Sequence, residues 1–218
     1  MNRLLIILSL AILPLFCFAT APPTFTEGNQ YKAVVLTPSN PSRFEIPKGK
    51  VLVVEFFSYG CPWCFKLDPS LEAWFKTKPK YVVFERVPVM FERGWDVYAK
   101  AYYTAEFLNV LNKITPDLFN AIHVKNEDLA SESAMQAFFV SKGVSKKDFE
   151  SAFDFSPGIG MELQRSNSLM MAYKAFVVPT VIVNGKYYTN PALVKGDDKL
   201  MMQVIQYLVA KEKPSNVK

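Results

Sequence analysis

A run of seven residues, VLVVEFF (Val51–Phe57), limits the folds that this chain can adopt. It is apolar at every position except Glu55, which is typical of a strand that is covered on both faces of a sheet. A turn follows it, then a helix predicted from about Pro62 to Phe75, and then a second apolar run, YVVFERVPV (Tyr81–Val89). Strand, helix and strand in this order predict a β-α-β unit with a parallel pair of strands.

The rest of the chain divides into two kinds of pattern. Apolar residues recur at helical spacing from about Gly94 to Ser166, with Pro116, Gly143 and Pro157 as breaks, and a further helix is predicted over Met161–Phe176. Strand patterns occur before and after this block. They predict a short strand at Tyr31–Leu36, two strands joined by a type I′ turn at Asn184–Gly185, and a last helix at about Asp198–Lys211.

The N-terminus has the layout of a secretory signal. Arg3 is followed by the apolar run LLIILSLAILPLFCF and then by small residues, which predicts cleavage near Ala19 and export of the chain. An uncleaved membrane anchor is the weaker alternative. The apolar run is short for a span, which needs about 20 residues, and Pro14 interrupts it.

The cysteines restrict the chemistry further. The chain has 3 cysteines, and Cys17 leaves with the signal, so Cys61 and Cys64 remain. A bridge between them would close too short a segment to stabilise the fold through chain entropy. A structural zinc would need four ligands, and the only histidine, His123, lies far away in the helical block. We interpret His123 as an ordinary, partly exposed side chain and predict no metal site.

The pair is therefore interpreted as a redox couple. Proline is favoured at the first position of a helix, so Pro62 makes Cys61 the predicted N-cap, close to the unpaired N–H groups that favour a thiolate. Cys64 lies nearly one turn further along and is shielded by the helix. This predicts that Cys61 is the exposed attacking thiolate and Cys64 its resolving partner, in an exchange that needs no metal, cofactor or histidine.

Two further residues bear on this chemistry. Glu55 is predicted to be buried under the pair with a raised pKa, which would allow it to exchange a proton with Cys64. The alternative is that Glu55 turns outward at a sheet edge. Pro179 comes directly before a strand, and the frequencies of X–Pro bonds alone favour a trans peptide there.

The segments EFFSYGCPWC and VPTVIVNGKYYTNP, with a helical block between them, resemble the DsbA family of periplasmic, thioredoxin-fold thiol oxidases over most of the chain. The resemblance implies an α/β thioredoxin fold with an inserted all-helical domain. The predicted division is a signal peptide (1–19), a first thioredoxin part (20–90), a helical insertion (91–163), a second thioredoxin part (164–212) and a tail (213–218).

The resemblance also implies roles for individual residues. Val178–Pro179 is expected to be cis and to pack against the dithiol, and Glu55 and Asp68 fall on acidic positions of the family. The surface expected to bind substrate consists of Pro62, Trp63, Val178 and Pro179. The implied reaction donates the Cys61–Cys64 disulfide to reduced, unfolded exported polypeptides. A quinone-linked membrane oxidase of the DsbB type then reoxidises the protein.

Trp63 departs from the best-known family members, which have histidine between the proline and the second cysteine. Histidine can stabilise a thiolate at Cys61, whereas an indole is uncharged. We therefore predict a milder oxidant.

The sequence fits other functions less well. The net charge is only +5, and no basic stripe is interleaved with aromatic residues, so no nucleic acid is expected. A disulfide isomerase or reductase could use the same chemistry, but the segment between Ala19 and Val51 is too short for the dimerisation domain of dimeric isomerases. A monomer is therefore expected. A periplasmic chaperone with incidental thiols is the alternative from another class.

Overall fold

The computed structural model describes residues 23–36, 39 and 43–215. The predicted signal peptide and residues 216–218 lie outside this part of the chain. The strands within it are β1 (Lys32–Ala33), β2 (Val51–Phe57), β3 (Val82–Pro88), β4 (Thr180–Val183) and β5 (Tyr187–Thr189). The helices are α1 (Pro62–Thr77), α2 (Trp95–Phe107), α3 (Leu111–His123), α4 (Glu132–Ser141), α5 (Lys146–Phe153), α6 (Pro157–Tyr173) and α7 (Asp198–Lys211). None of these helices is long and apolar enough to cross a membrane.

The strands form one mixed sheet in the order β1-β5-β4-β2-β3. The pair β2 and β3 is parallel, as the β-α-β pattern predicts, and α1 makes the crossover between them. The other neighbours are antiparallel. The α/β class is thus confirmed, and β2 lies between two partners inside the sheet.

Both faces of β2 are covered, which explains its apolar sequence. Val51 and Val53 pack into a core that includes side chains of α1 and α7. Leu52, Val54 and Phe56 point to the other face and pack into a core shared with the helical block. Burial of each such side chain contributes roughly 1.5–3 kcal/mol, so this strand anchors the segment that leads to the cysteines.

The helical block comprises α2 to α6 and lies between β3 and β4 in sequence. The boundary predicted at residues 163 and 164 falls inside α6, and the division into domains stays a prediction. The prediction that Pro116 breaks the helical pattern is wrong, because Pro116 lies within α3. The hydrogen bond that an amide at this position would donate to the carbonyl of Asn112 is absent, and Asn112 is an exposed residue.

Two predicted elements have different ends in the structure. The first strand extends over Lys32–Ala33 only, because β1 lies at the edge of the sheet and pairs only with the short β5. Helix α6 begins at Pro157 rather than at Met161, since the hydroxyl of Ser156 accepts a hydrogen bond from the amide of Ile159 and caps it. The predicted turn is confirmed: Asn184 and Gly185 have φ of 55° and 66°.

Candidate active site around Cys61 and Cys64

Cys61 is the N-cap residue of α1, as its position before Pro62 predicts. The amide of Cys61 donates to the carbonyl of Ser58 at 3.1 Å, which closes the turn between β2 and α1. Cys61 has extended backbone angles, and its sulfur accepts a hydrogen bond from the amide of Cys64 at 3.4 Å. The sulfur therefore lies against the N–H groups of the first helical turn, which favour a thiolate.

The two thiols have opposite electrostatic environments. The hydrogen bond with the Cys64 side chain is the main cause that lowers the pKa of Cys61, although burial acts against it. Burial is the main cause that raises the pKa of Cys64 well above its ordinary value, and the interaction with Cys61 adds to it. The first proton that the pair loses therefore comes from Cys61 and not from Cys64.

Cys61 is less exposed than its position predicts. Only 4% of its surface is accessible, and Cys64 is completely buried. The loop before β4 covers Cys61, and the carbonyl oxygen of Val178 lies 3.4 Å from the Cys61 sulfur, which donates to it as a thiol. The prediction of an exposed Cys61 is therefore wrong, because a loop that is distant in sequence packs over the sulfur.

The peptide bond between Val178 and Pro179 is cis. The family resemblance implies this isomer, whereas residue frequencies alone favour trans. Both residues are buried, and the hydroxyl of Thr180 donates to the carbonyl of Val177 at 2.5 Å. The cis geometry is confirmed, while a part for Val178 and Pro179 in substrate binding stays a prediction.

Glu55 points into the protein interior and is only 1% exposed. The sequence predicts this burial but not the partner. Arg86 lies opposite Glu55 in the parallel pair of β2 and β3, and its Nε donates to Glu55 Oε2 at 2.8 Å. The same guanidinium donates to Asp68 Oδ1 at 2.5 Å and lies 3.4 Å from Glu72 Oε1.

This cluster leaves Glu55 close to half-protonated at neutral pH. Burial raises the pKa of Glu55 to about 7, although the charge and hydrogen bond of Arg86 act in the opposite direction. Burial likewise raises the pKa of Asp68. Glu55 also contributes to the raised pKa of Cys64, so the carboxyl and the buried thiol are electrostatically coupled. Proton exchange between them stays a prediction.

Pro62 and Trp63 lie on the exposed side of the site. The Trp63 ring packs over Gly196, where an added Cβ would lie 3.1 Å from it. Lys66 lies 5.1 Å from the centre of the Trp63 ring, and it is held by an ion pair with Asp198 at 3.2 Å. The indole is thus fixed in place as an apolar surface beside Cys61.

Further apolar side chains are exposed in the cis-proline loop and near the turn before Cys61. Phe176 and Val177 precede the cis-proline, and Phe91 packs against Trp95 with the two rings tilted and 5.0 Å between their centres. Trp95 in turn packs against Gly60, the residue before Cys61. Together with Trp63, these side chains form an exposed apolar rim near Cys61.

His123 is partly exposed and lies in the helical block, as the sequence predicts, but its position beside the turn before Cys61 was not predicted. Its Nε2 lies 2.7 Å from the carbonyl oxygen of Tyr59, two residues before Cys61. Its ring stacks on that of Phe65, with 4.9 Å between the ring centres. The fold of the helical block brings it to the cysteines, which no spacing in the sequence indicates.

The described residues hold no group of three or more histidine, cysteine, aspartate or glutamate side chains that could bind a metal ion.

Comparison with known proteins finds one family model and many relatives. The DSBA-like thioredoxin domain matches residues 52–203. The thiol:disulfide interchange protein DsbA of Burkholderia cepacia is 36% identical over 189 residues, which cover 87% of this chain and 86% of that protein. The DsbA of Pseudomonas aeruginosa is 33% identical over 213 residues, which cover 98% of both chains.

Solved structures are similar as well. The crystal structure of Pseudomonas aeruginosa DsbA matches with a TM-score of 0.77 at 32% identity, over 86% of this chain and 94% of that chain. The oxidoreductase DsbA from Xylella fastidiosa matches with a TM-score of 0.75 at 28% identity, over 88% of this chain and 98% of that chain.

Proposed function

Because the chain belongs to the DSBA-like thioredoxin domain family and is a thiol:disulfide oxidoreductase with the thioredoxin-like DsbA fold, we propose that it oxidises exported proteins. In this proposal it donates the Cys61–Cys64 disulfide to reduced, unfolded polypeptides. The direction of the exchange, the mixed disulfide and the partners are all parts of the proposal.

The proposed reaction proceeds in two exchanges. A substrate thiolate attacks the Cys61 sulfur of the oxidised protein, the Cys61–Cys64 bond breaks, and Cys64 leaves with the electron pair and takes up a proton. A second substrate thiolate then attacks the substrate sulfur of this mixed disulfide, and Cys61 leaves as a thiolate. The substrate loses two electrons, and the Cys61–Cys64 disulfide gains them and becomes the dithiol. Glu55 is proposed to supply the proton that Cys64 takes up.

The observation that carries the proposal is the capped sulfur of Cys61. A thiol with a lowered pKa is a good leaving group, so the mixed disulfide is released readily towards the substrate. Stabilising the thiolate also stabilises the reduced protein, which makes the disulfide a stronger oxidant. The buried Cys64 is inaccessible to substrate, which directs attack to Cys61.

The partners follow from the same proposal. The exposed apolar side chains around Cys61, with Trp63, Phe176 and Val177, would bind unfolded chains without strong sequence preference. The buried Val178 and Pro179 are proposed to contact the substrate where it reaches the Cys61 sulfur. The dithiol must pass two electrons and two protons to an oxidant, for which we propose a quinone-linked membrane oxidase of the DsbB type. We further propose that a monomer acts in the periplasm after cleavage near Ala19, a site outside the described residues.

The test is the reduction potential of the Cys61–Cys64 couple, measured by equilibration against glutathione. The proposal predicts a potential between about −120 mV, the value of DsbA itself, and about −180 mV, that of protein disulfide isomerase. A potential near −270 mV, as in thioredoxin, would contradict an oxidase and favour a reductase. Replacement of both cysteines by serine distinguishes the chaperone alternative, since only a chaperone would keep its cellular function.

A further inference from the structure

Tyr59 belongs to the turn between β2 and Cys61. Three residues on one face of α3 contact it. The hydroxyl of Thr115 lies 2.8 Å from the phenol oxygen of Tyr59. The ring of Phe119 packs edge-on against the Tyr59 ring, with 5.0 Å between the centres. His123 reaches the Tyr59 carbonyl oxygen at 2.7 Å. The three residues are spaced by four, so they lie on one side of the helix.

Tyr59 is completely buried, and its hydrogen bonds therefore matter. Burial raises the pKa of the phenol above its ordinary value, so the group stays a neutral hydroxyl that pairs with Thr115. The carbonyl of Tyr59 can only accept, which requires His123 to donate from Nε2–H. Loss of either bond would leave a polar group of Tyr59 unpaired.

His123 also contacts the chain on the other side of the cysteines. Its ring is nearly parallel to that of Phe65, at an angle of 16°, and Phe65 follows Cys64 directly. The same imidazole therefore contacts residues before Cys61 and after Cys64. Tyr59 itself belongs to the turn in which Cys61 N–H donates to the Ser58 carbonyl at 3.1 Å and Gly60 N–H donates to the Ser58 hydroxyl at 3.2 Å.

We propose that His123 and Thr115 are positioning residues for disulfide exchange, which hold the backbone of Tyr59 so that the Cys61 sulfur stays over the first turn of α1. They act through Tyr59 and do not touch the reacting sulfurs. This inference deepens the proposed function and rests on it, since it assigns how the helical block sets the geometry of the nucleophile.

The experiment compares His123→Phe with His123→Gln in the reduced protein. Phenylalanine keeps a ring against Phe65 but removes the donor to Tyr59, whereas glutamine keeps an N–H donor. The readouts are the rate of Cys61 alkylation by iodoacetamide as a function of pH, and the rate of exchange between the oxidised protein and a reduced peptide. His123→Phe is expected to raise the pKa of Cys61 by about half a unit or more and to slow exchange about threefold. His123→Gln is expected to keep the pKa of Cys61 and the exchange rate close to their wild-type values.

Thr115→Val offers a second route with a matched control. The hydroxyl of Thr104, also buried in the helical block, has no hydrogen-bond partner among the described residues, so Thr104→Val makes the same change without loss of a bond. Thr115→Val should shift the pH profile of Cys61 alkylation, and Thr104→Val should leave this profile unchanged. Thr115 and His123 both act through Tyr59. The variant that combines Thr115→Val with His123→Phe should therefore shift the alkylation profile by less than the sum of the two single shifts.

Several results would overturn the inference. The first is a wild-type alkylation profile in His123→Phe and Thr115→Val, whatever happens to their thermal stability. The second is a glutamine variant as impaired as the phenylalanine one. If His123→Phe does not fold, the comparison of Thr115→Val with Thr104→Val decides. All of these results are relative alkylation and exchange rates within one set of variants, so they are independent of the reduction potential that tests the proposed function.

Discussion

Arg86 Nε donates to Glu55 Oε2 at 2.8 Å, across two parallel strands in which the residues are direct neighbours. This pair does not hold Glu55 fully ionised, because Arg86 is shared. Its guanidinium also bonds to Asp68 and lies near Glu72. One cation thus faces three carboxyl groups. For Glu55, the most deeply buried of the three, the cost of desolvation outweighs the attraction to Arg86.

A dependence of stability on pH follows for Glu55. Between the ordinary pKa of 4.5 and the raised pKa of about 7, Glu55 keeps its proton in the folded protein and loses it in the unfolded chain. The folded state binds more protons there, so the free energy of unfolding falls as the pH rises. In Glu55→Gln this contribution is absent. Relative to that variant, the wild type should lose up to about 3 kcal/mol between pH ~4.5 and ~8.

Urea unfolding of both proteins at several pH values in this range measures the effect. A difference between wild type and Glu55→Gln that does not change with pH would mean that the folded-state pKa of Glu55 is close to its ordinary value.

The different environments of the two cysteines predict different behaviour of their serine variants. With Cys64→Ser, Cys61 attacks oxidised glutathione and the mixed disulfide then persists about tenfold longer than in wild type or more, because no resolving thiol is present. With Cys61→Ser, the buried Cys64 forms little adduct, since its pKa is raised and its surface is inaccessible. Acid quenching and mass spectrometry measure the adducts. Equal adduct levels in the two variants would contradict the assigned roles.

Gly60 is required for the packing of Trp95. A Cβ at Gly60 would meet the Trp95 indole and lie 2.9 Å from the Tyr98 ring. Gly60→Ala should therefore destabilise the protein by about 1–3 kcal/mol, as overpacking does. Gly160→Ala is the matched control: an added Cβ has no neighbour within 4 Å there, within α6. It should stabilise by up to about 1 kcal/mol. Thermal and urea unfolding measure both, and equal effects would contradict the packing argument.

Local patterns predict the elements that build the site. The limits of β2 and α7 agree with the sequence because each is set by apolar periodicity and by turn or capping residues. The N-cap position of Cys61 follows from Pro62 alone. Local patterns do not predict contacts between segments that are distant in sequence. Examples are the Val178 carbonyl, which covers Cys61, and His123, which contacts Tyr59. Such contacts depend on how the helical block and the cis-proline loop pack on the sheet.

One omitted contact has a sequence signal nonetheless. The segments Val51–Phe57 and Val82–Pro88 have equal lengths, and alignment of their first residues places Arg86 beside Glu55, as observed. A charged residue in each of two neighbouring buried strands indicates a pair. For the Val178–Pro179 bond no local signal exists, and only the family resemblance predicts its isomer.

Trp63 leads to the last prediction, which concerns the oxidising strength. In Trp63→His, an imidazolium replaces a neutral indole beside Cys61 and favours the thiolate. The pKa of Cys61 should fall by about one unit. A more stable thiolate stabilises the reduced protein, so the reduction potential should rise by about 30 mV, which corresponds to a tenfold change in the equilibrium with glutathione. Thiolate absorbance as a function of pH and glutathione equilibration measure the two quantities.

Trp63→Phe is the control, because it keeps an aromatic ring for the Lys66 ammonium, now 5.1 Å from the Trp63 ring centre, without adding a charge. If loss of the indole itself were responsible, phenylalanine and histidine would change the pKa of Cys61 alike. A lowered pKa in the histidine variant alone assigns the effect to charge. A histidine variant with an unchanged pKa would mean that the N–H groups of α1 and the Cys64 hydrogen bond already determine the charge on Cys61.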